Sequence, residues 1–295
     1  MSTIENIINT YNNIKNKLRF DGEYLNYFAS ILSTVNKNII NYDKIKYIRR
    51  FFSDRTAWHS SFRGTGLYTI SIILSFEEDL DEKMEKIIEI EQELVSKGFR
   101  ESSYLALASY ILHKSKDSNV IQRFIDMYDV IHGKSDKITC EEDYPMIALV
   151  VYKNISGEIL TSKYDDYFSV YKFVEVKSND ITQDMVISSI IFNNGINLND
   201  NMMKEKIEAQ YAILYPIFFN KTENTVKMLD IWEGKLEEHV ELQLFMDGSF
   251  RRFLAMVLIL QNNKDISNED LEMLISLCVL NFTKTQETSI LSDLV

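Results

Sequence analysis

Between Ser53 and Gly66 the chain reads SDRTAWHSSFRGTG, a stretch that gathers the residue types suited to holding an anion. Gly64, Thr65 and Gly66 directly precede an apolar helical run, where the unpaired amides of a helix start attract negative charge. Arg63 adds a guanidinium fork that can grip a carboxylate or phosphate with two bonds, and Trp58 and His59 add a ring face and a titratable group. The RGTG sequence lacks the GK[ST] ending of a phosphate-binding loop, and no strand precedes it. The competing reading is a structural connection in which Trp58 packs and Arg63 pairs with a carboxylate.

The second chemical candidate is Thr139-Cys140-Glu141-Glu142-Asp143-Tyr144-Pro145, three consecutive acids at a helix start. Carboxylates are favoured there by the helix dipole. Thr139 with Glu142 fits a capping box, whereas Pro145 in the first turn moves the cap to Asp143 or Tyr144. The spaced oxygen ligands and central glycine of a calcium loop are absent, so capping is preferred over a metal site. Glu142, Asp143 and Tyr144 therefore join Trp58, His59, Arg63, Gly64, Thr65 and Gly66 as candidate ligand-contact or partner-contact residues.

His59, His113, His132 and His239 form no HxxxH or HExxH pair, and Cys140 and Cys278 have neither CxxC spacing nor a histidine partner in sequence. No GxSxG nucleophile motif occurs either. No catalytic residue, metal or cofactor is assigned on these grounds. His132, beside Gly133, reads as a helix C-terminal residue facing the negative dipole end.

These residues must be positioned by helices. Only two prolines and nine glycines occur in 295 residues, far below the roughly 5% and 7% of an average chain, which removes the frequent turns of an all-β fold. Ile4, Ile7, Ile8, Tyr11, Ile14 and Leu18 mark one face of a first helix, and a second is expected over Glu23–Val35. Further helices are expected over Ile39–Phe52, Leu67–Phe76 and Leu80–Val95, the last closed by Gly98. The pairs Ser102–Leu112 with Val120–Ile131, Tyr144–Tyr152 with Lys163–Val176, and Thr182–Phe192 with Met203–Tyr215 follow.

Three of these segments recur in register, placing Ala108, Ala148 and Ser188 forty residues apart. Ile131, Tyr171 and Tyr211 repeat the interval on the partner helices. The expected fold is therefore all-α: an array of antiparallel helical hairpins with a period of about 40 residues, α-solenoid-like. It is read as a single helical-repeat domain over residues 1–295, with a soft subdivision near 216. Val226–Trp232, Leu236–Met246 and Phe250–Leu260 continue as helices. A last helix is capped by Ser267 and Asp270, and its polar end beyond Phe282 is expected to fray.

The net charge of −12 opposes attraction to nucleic acid or anionic lipid. It is unevenly spread: Glu77–Glu101 holds ten acids against four bases, whereas Asn36–Arg55 holds six bases against two acids. The two regions can attract each other, and Tyr42, Tyr47, Phe51 and Phe52 within the basic one read as core rather than as stacking platforms for bases. The longest apolar run, Phe253–Leu260, is too short for a bilayer, and Met1–Asn13 has no export-signal pattern. A cytoplasmic setting is expected.

The segments SSFRGTGLYTISIILS, GFRESSYLALASYIL and TCEEDYPMIALVVY resemble an uncharacterised bacterial family, best known from low-GC Gram-positive organisms and described as a domain of unknown function, DUF4003-like. Its FRG, GF…YLA and DDYP-like segments fall here at Phe62–Gly64, Gly98–Ala106 and Glu142–Pro145, with Glu142 in place of the first aspartate. Met185–Phe192 departs from the pattern, reading MVISSIIF where the family carries a more polar segment with Gln, Ser and His. The resemblance implies an all-helical protein and no established activity. The resulting expectation is an interaction module for an unidentified protein or peptide, with no oligomeric state assigned. The alternative is a small anionic-ligand-binding protein or an enzyme using the Trp58–Gly66 loop.

Overall fold

The computed structural model describes residues 3–134, 140–171, 179–192, 207–219, 224–239, 242, 247–262 and 266–293. Among these residues every regular element is helical. Contacts divide the chain into two compact units, Met1–Gly157 and Glu158–Val295.

The first unit contains α1 (Thr3–Ile14), α2 (Glu23–Val35), α3 (Tyr42–Arg55), α4 (Gly64–Leu74), α5 (Leu80–Ser96), α6 (Ser103–His113), α7 (Val120–Lys134) and α8 (Tyr144–Tyr152). Helices α4, α6 and α8 carry apolar residues nearly all round. Every residue of α6 after Ser103 is buried, as is every residue of α8 up to Val151. A helix without a polar face can only be covered by neighbours. Accordingly α1 packs on α2, α3 on α4, α5 on α6 and α7 on α8, while α4 also meets α2 and α6, and α6 meets α8. Ala108 and Ala148 are fully buried.

The amphipathic helices α3 and α5 also meet, with basic side chains of one against acids of the other. Lys44 lies 3.4 Å from Glu78 and Arg55 lies 2.8 Å from Glu85, with Tyr47 donating to Asp81 between them. The charge asymmetry of the sequence is thus partly spent internally. Phe51 and Phe52 are core residues, but Tyr47 is exposed rather than buried. Deeper in the unit, Arg49 sits on the Asp21 carboxylate, donates to Ser71 Oγ at 2.9 Å and stacks over the Tyr68 ring at 4.6 Å. Burial raises the Asp21 carboxyl above its ordinary range even against the Arg49 guanidinium.

Two helix starts differ from the sequence reading by about a turn. Asn41 accepts from the amides of Asp43 and Lys44, so α3 begins at Tyr42 and leaves Ile39 outside it. Helix α4 begins at Gly64 rather than Leu67, because first-turn amides have no intrahelical bond for glycine to weaken. Helix ends are more uniform. The amides of Lys37 and Asn38 donate to Thr34 and Ser33, those of Gly98 and Phe99 to Val95 and Leu94, and those of Asn154 and Ile155 to Val151 and Val150. This paired closure requires a left-handed residue, here Lys37, Gly98 and Asn154. Glycine and asparagine suit that conformation; lysine holds it at a cost of about 1 kcal/mol.

The second unit contains α9 (Gly157–Tyr171, entered from Gly157), α10 (Asn179–Ile191), α11 (Tyr215–Phe219), α12 (Asn224–Glu237), α13 (Gly248–Leu260) and α14 (Asn268–Asp293). Buried Ser188 donates to the Ile213 carbonyl at 2.6 Å, and Tyr171 shares a 2.7 Å bond with Ser189. Tyr211, Phe250, Phe253 and Phe282 form an aromatic core.

Three expectations change in this unit. The C-terminal part of the expected Met203–Tyr215 helix is a 3₁₀ turn over Ala209–Leu214, in which Tyr211 has φ −135°, while residues 203–206 lie outside the described set. Val226–Trp232 and Leu236 belong to one helix, α12. Helix α14 continues past Phe282 to Asp293 instead of fraying there, its start held by the Asp270 amide on Ser267 Oγ at 3.1 Å.

Candidate functional site

The connection between α3 and α4 is pinned from beneath. Glu91 of α5, 2% exposed, accepts from Ser60 Oγ and from the Ser61 amide, both at 3.2 Å. Phe62 is buried and stacks on Phe52 with ring centroids 4.5 Å apart. Gly66 lies so close to this turn that a Cβ there would stand 2.2 Å from the Ser61 carbonyl oxygen and 3.1 Å from Ser103 Cα. The glycine is required by close approach of the loop and α6 to α4.

Arg63 is committed to the same scaffold. Its guanidinium donates to Thr56 Oγ1 at 2.8 Å, to the Thr56 and Phe62 carbonyls at 2.7 Å, and to the Ser53 carbonyl at 3.3 Å. Ser53 and Thr56 lie at the end of α3, so Arg63 caps a helix C-terminus rather than pairing with a carboxylate. Gly64 has φ +50°, and Thr65 is half-buried in the first turn of α4.

Trp58 and His59 face the other way. Trp58 is 85% exposed, not packed, and meets the His59 ring edge-on at 5.5 Å. His59 Nδ1 lies 2.8 Å from Glu101 Oε2 in the connection between α5 and α6. From that connection Arg100 reaches Glu141 Oε1 at 2.8 Å, and the Arg100 amide donates to the Tyr144 hydroxyl at 3.4 Å. The Ser102 amide donates to Ser61 Oγ at 3.2 Å. Phe99 packs on Tyr144 at 5.4 Å, and burial raises the Tyr144 phenol above its ordinary range.

The acids before α8 form a cap. Asp143, 6% exposed, accepts from the Cys140 amide at 3.0 Å, while the Cys140 thiol donates to Glu142 at 3.4 Å. Pro145 occupies the first turn and Asp143 the N-cap position. Thr139, the other capping candidate, lies outside the described residues. Among the described residues no three His, Cys, Asp or Glu side chains form a metal-holding group.

The two sequence candidates are thus bridged by the segment between them. Ser61 to Ser102 and Arg100 to Glu141 each span 41 residues, and His59 to Glu101 spans 42. Arg100, Glu101 and Glu91 were missed by motif reading. For Arg100 a signal was available as a shift along the chain: His59, Arg100 and Glu141 stand 41 residues apart, as do Ser61, Ser102 and Asp143. Of the other histidines, His132 meets the Tyr128 ring edge-on at 5.9 Å near the end of α7, and His113 is buried.

The turns that carry Phe62–Gly64, Gly98–Ala106 and Glu142–Pro145 are thus joined within one helical unit. The chain belongs to the protein family of unknown function DUF4003, whose family model matches residues 10–283. Comparison with curated proteins and with solved structures gave no match. Among the described residues no helix is long and apolar enough to cross a membrane.

Proposed function

We propose that the chain is an α-solenoid-like array of antiparallel helical hairpins that binds a protein or peptide along the rim made by Trp58, His59, Arg100, Glu101 and Glu141. The repeat reading is supported by the recurring pair packing of α1–α8 and by loop-to-loop bonds spanning 41 and 42 residues. One helical-repeat domain over residues 1–295, with a soft subdivision near 216, belongs to the same proposal; a single calorimetric melting transition is its signature.

The observation that carries the binding reading is Trp58. A tryptophan 85% in water gives up most of its burial energy, and it is held there by neighbours fixed through Glu91 and Arg63. Tryptophan and arginine are the residues most enriched where binding energy concentrates, and the adjoining ion pairs offer a polar margin. A cytoplasmic setting is part of the proposal, supported by Cys140 and Cys278, neither of which is in a disulfide. The anionic-ligand alternative is weakened because both terminal nitrogens of Arg63 already donate within the loop and to the end of α3.

Affinity capture from cells that make the protein, comparing wild type with a Trp58→Ala/Arg100→Ala chain by quantitative mass spectrometry, tests this. At least one partner should be lost while the melting temperature holds. Identical partners for both chains would overturn the rim as a binding surface.

A further inference from the structure

A second site lies apart from this rim, on α1 and α2. A groove of about 520 Å³ runs between them and the connection to α3. Asn6, Asn9 and Asn13 line it from α1, and Lys37, Asn38 and Ile39 from the connection. In a chain with 44 acids, none of the groove's lining residues is Asp or Glu, and Lys37 is its one charged member.

We propose that this groove binds an extended peptide segment that carries a carboxylate. A carboxamide offers one acceptor oxygen and two donor hydrogens, the complement of a peptide group. At about 1.5 Å rise per residue, Asn6 and Asn13 stand about 10.5 Å apart along α1. An extended chain advances about 10 Å in three residues, so the two end carboxamides address main-chain groups three residues apart, with Asn9 between them. Lys37 supplies the charge partner for a side-chain or terminal carboxylate. Ile39, 87% exposed, supplies apolar surface to a peptide side chain.

Lys37 is also the outlier among the three left-handed helix closures. The same hydrogen-bond pattern closes α5 with Gly98 and α8 with Asn154, both suited to positive φ, whereas Lys37 has φ +51°. The strained closure is the one that lines the groove, consistent with strain clustering at ligand sites. This separates folding from binding, because glycine at position 37 relaxes the backbone while removing the charge.

The test selects a phage-displayed library of random linear peptides on the full chain. Synthetic winners are then titrated against wild type, Asn6→Ala/Asn13→Ala, Lys37→Gly and Trp58→Ala. Winners should carry an acid or a free C-terminus and lose about tenfold or more in affinity on the asparagine double variant. Lys37→Gly should bind them more weakly while melting at a higher temperature, and Trp58→Ala should bind them as wild type does. No enrichment, winners indifferent to the asparagines, or winners that depend on Trp58 would each overturn the proposal. So would a panel of neutral oligosaccharides bound through the asparagines when peptides are not.

Discussion

Replacing Glu77 with glutamine removes the carboxylate on which three side chains converge. Lys114 Nζ and the Tyr110 hydroxyl lie 2.7 Å from Oε1, Lys83 Nζ lies 2.8 Å from Oε2, and Lys44 donates to the Glu77 carbonyl. Four elements, α3 with α4's exit, α5 and α6, are tied at this residue. Burial alone would raise the carboxyl, but the Lys114 charge and the bonds from Lys114, Lys83 and Tyr110 outweigh it and hold it at about 2 against an ordinary 4.5.

At about 1.4 kcal/mol for each tenfold change in protonation, that depression contributes about 3 kcal/mol to folding. The side chain is 14% exposed, so solvent screening takes little from it. The sign follows from the depression. Above pH 4.5 the carboxylate is ionised in both states and the contribution is complete; as pH falls toward about 2 the native carboxylate is protonated and the contribution disappears. Hydrogen exchange by mass spectrometry on peptides from α4 to α6 reads the local opening free energy directly. Glu77→Gln should lower it by about 3 kcal/mol at pH 7, with the gap closing as pH falls below about 4. Equal protection at pH 7, or a gap of unchanged size at pH 3, would refute the assignment.

Two further predictions use the same unit. Burial holds His113 at about 4 instead of 6.5, amid Glu77, Lys114, Lys86 and the Tyr110 carbonyl, so between those values the unfolded chain takes a proton that the native one refuses. Stability should therefore fall as pH is lowered from 6.5 to about 4, and urea titrations of His113→Gln should show a flatter dependence over that window; parallel curves would count against it. Gly66→Ala forces a methyl group onto the Ser61 carbonyl and should cost about 2–4 kcal/mol, measured by the urea midpoint, whereas Gly133→Ala, in helix α7, meets open space and should hold that midpoint or raise it slightly.

Local pattern made much of the helix order legible. The first apolar face, from Ile4 to Ile14, and the helix Glu23–Val35 were readable because a 3.6-residue period is written in near neighbours. Starts at Tyr42 and Gly64 were less so. One depends on an asparagine side chain folding back and the other on a helix beginning with glycines, which composition argues against. Beyond Pro216 the apolar runs Val226–Trp232 and Leu236–Met246 read as two helices, whereas one helix spans Asn224–Glu237.

By itself, the sequence determined the all-helical class, the family and the identity of the two irregular segments around Trp58 and Asp143. Tertiary structure decided what those segments do physically. It turned Arg63 inward as a cap, left Trp58 in water, and joined both segments through Arg100 and Glu101. The division has a simple cause. Helix periodicity is carried by residues three and four apart, whereas the direction of a loop side chain is set by partners such as Glu91 that lie about thirty residues away and become neighbours only when the helices pack.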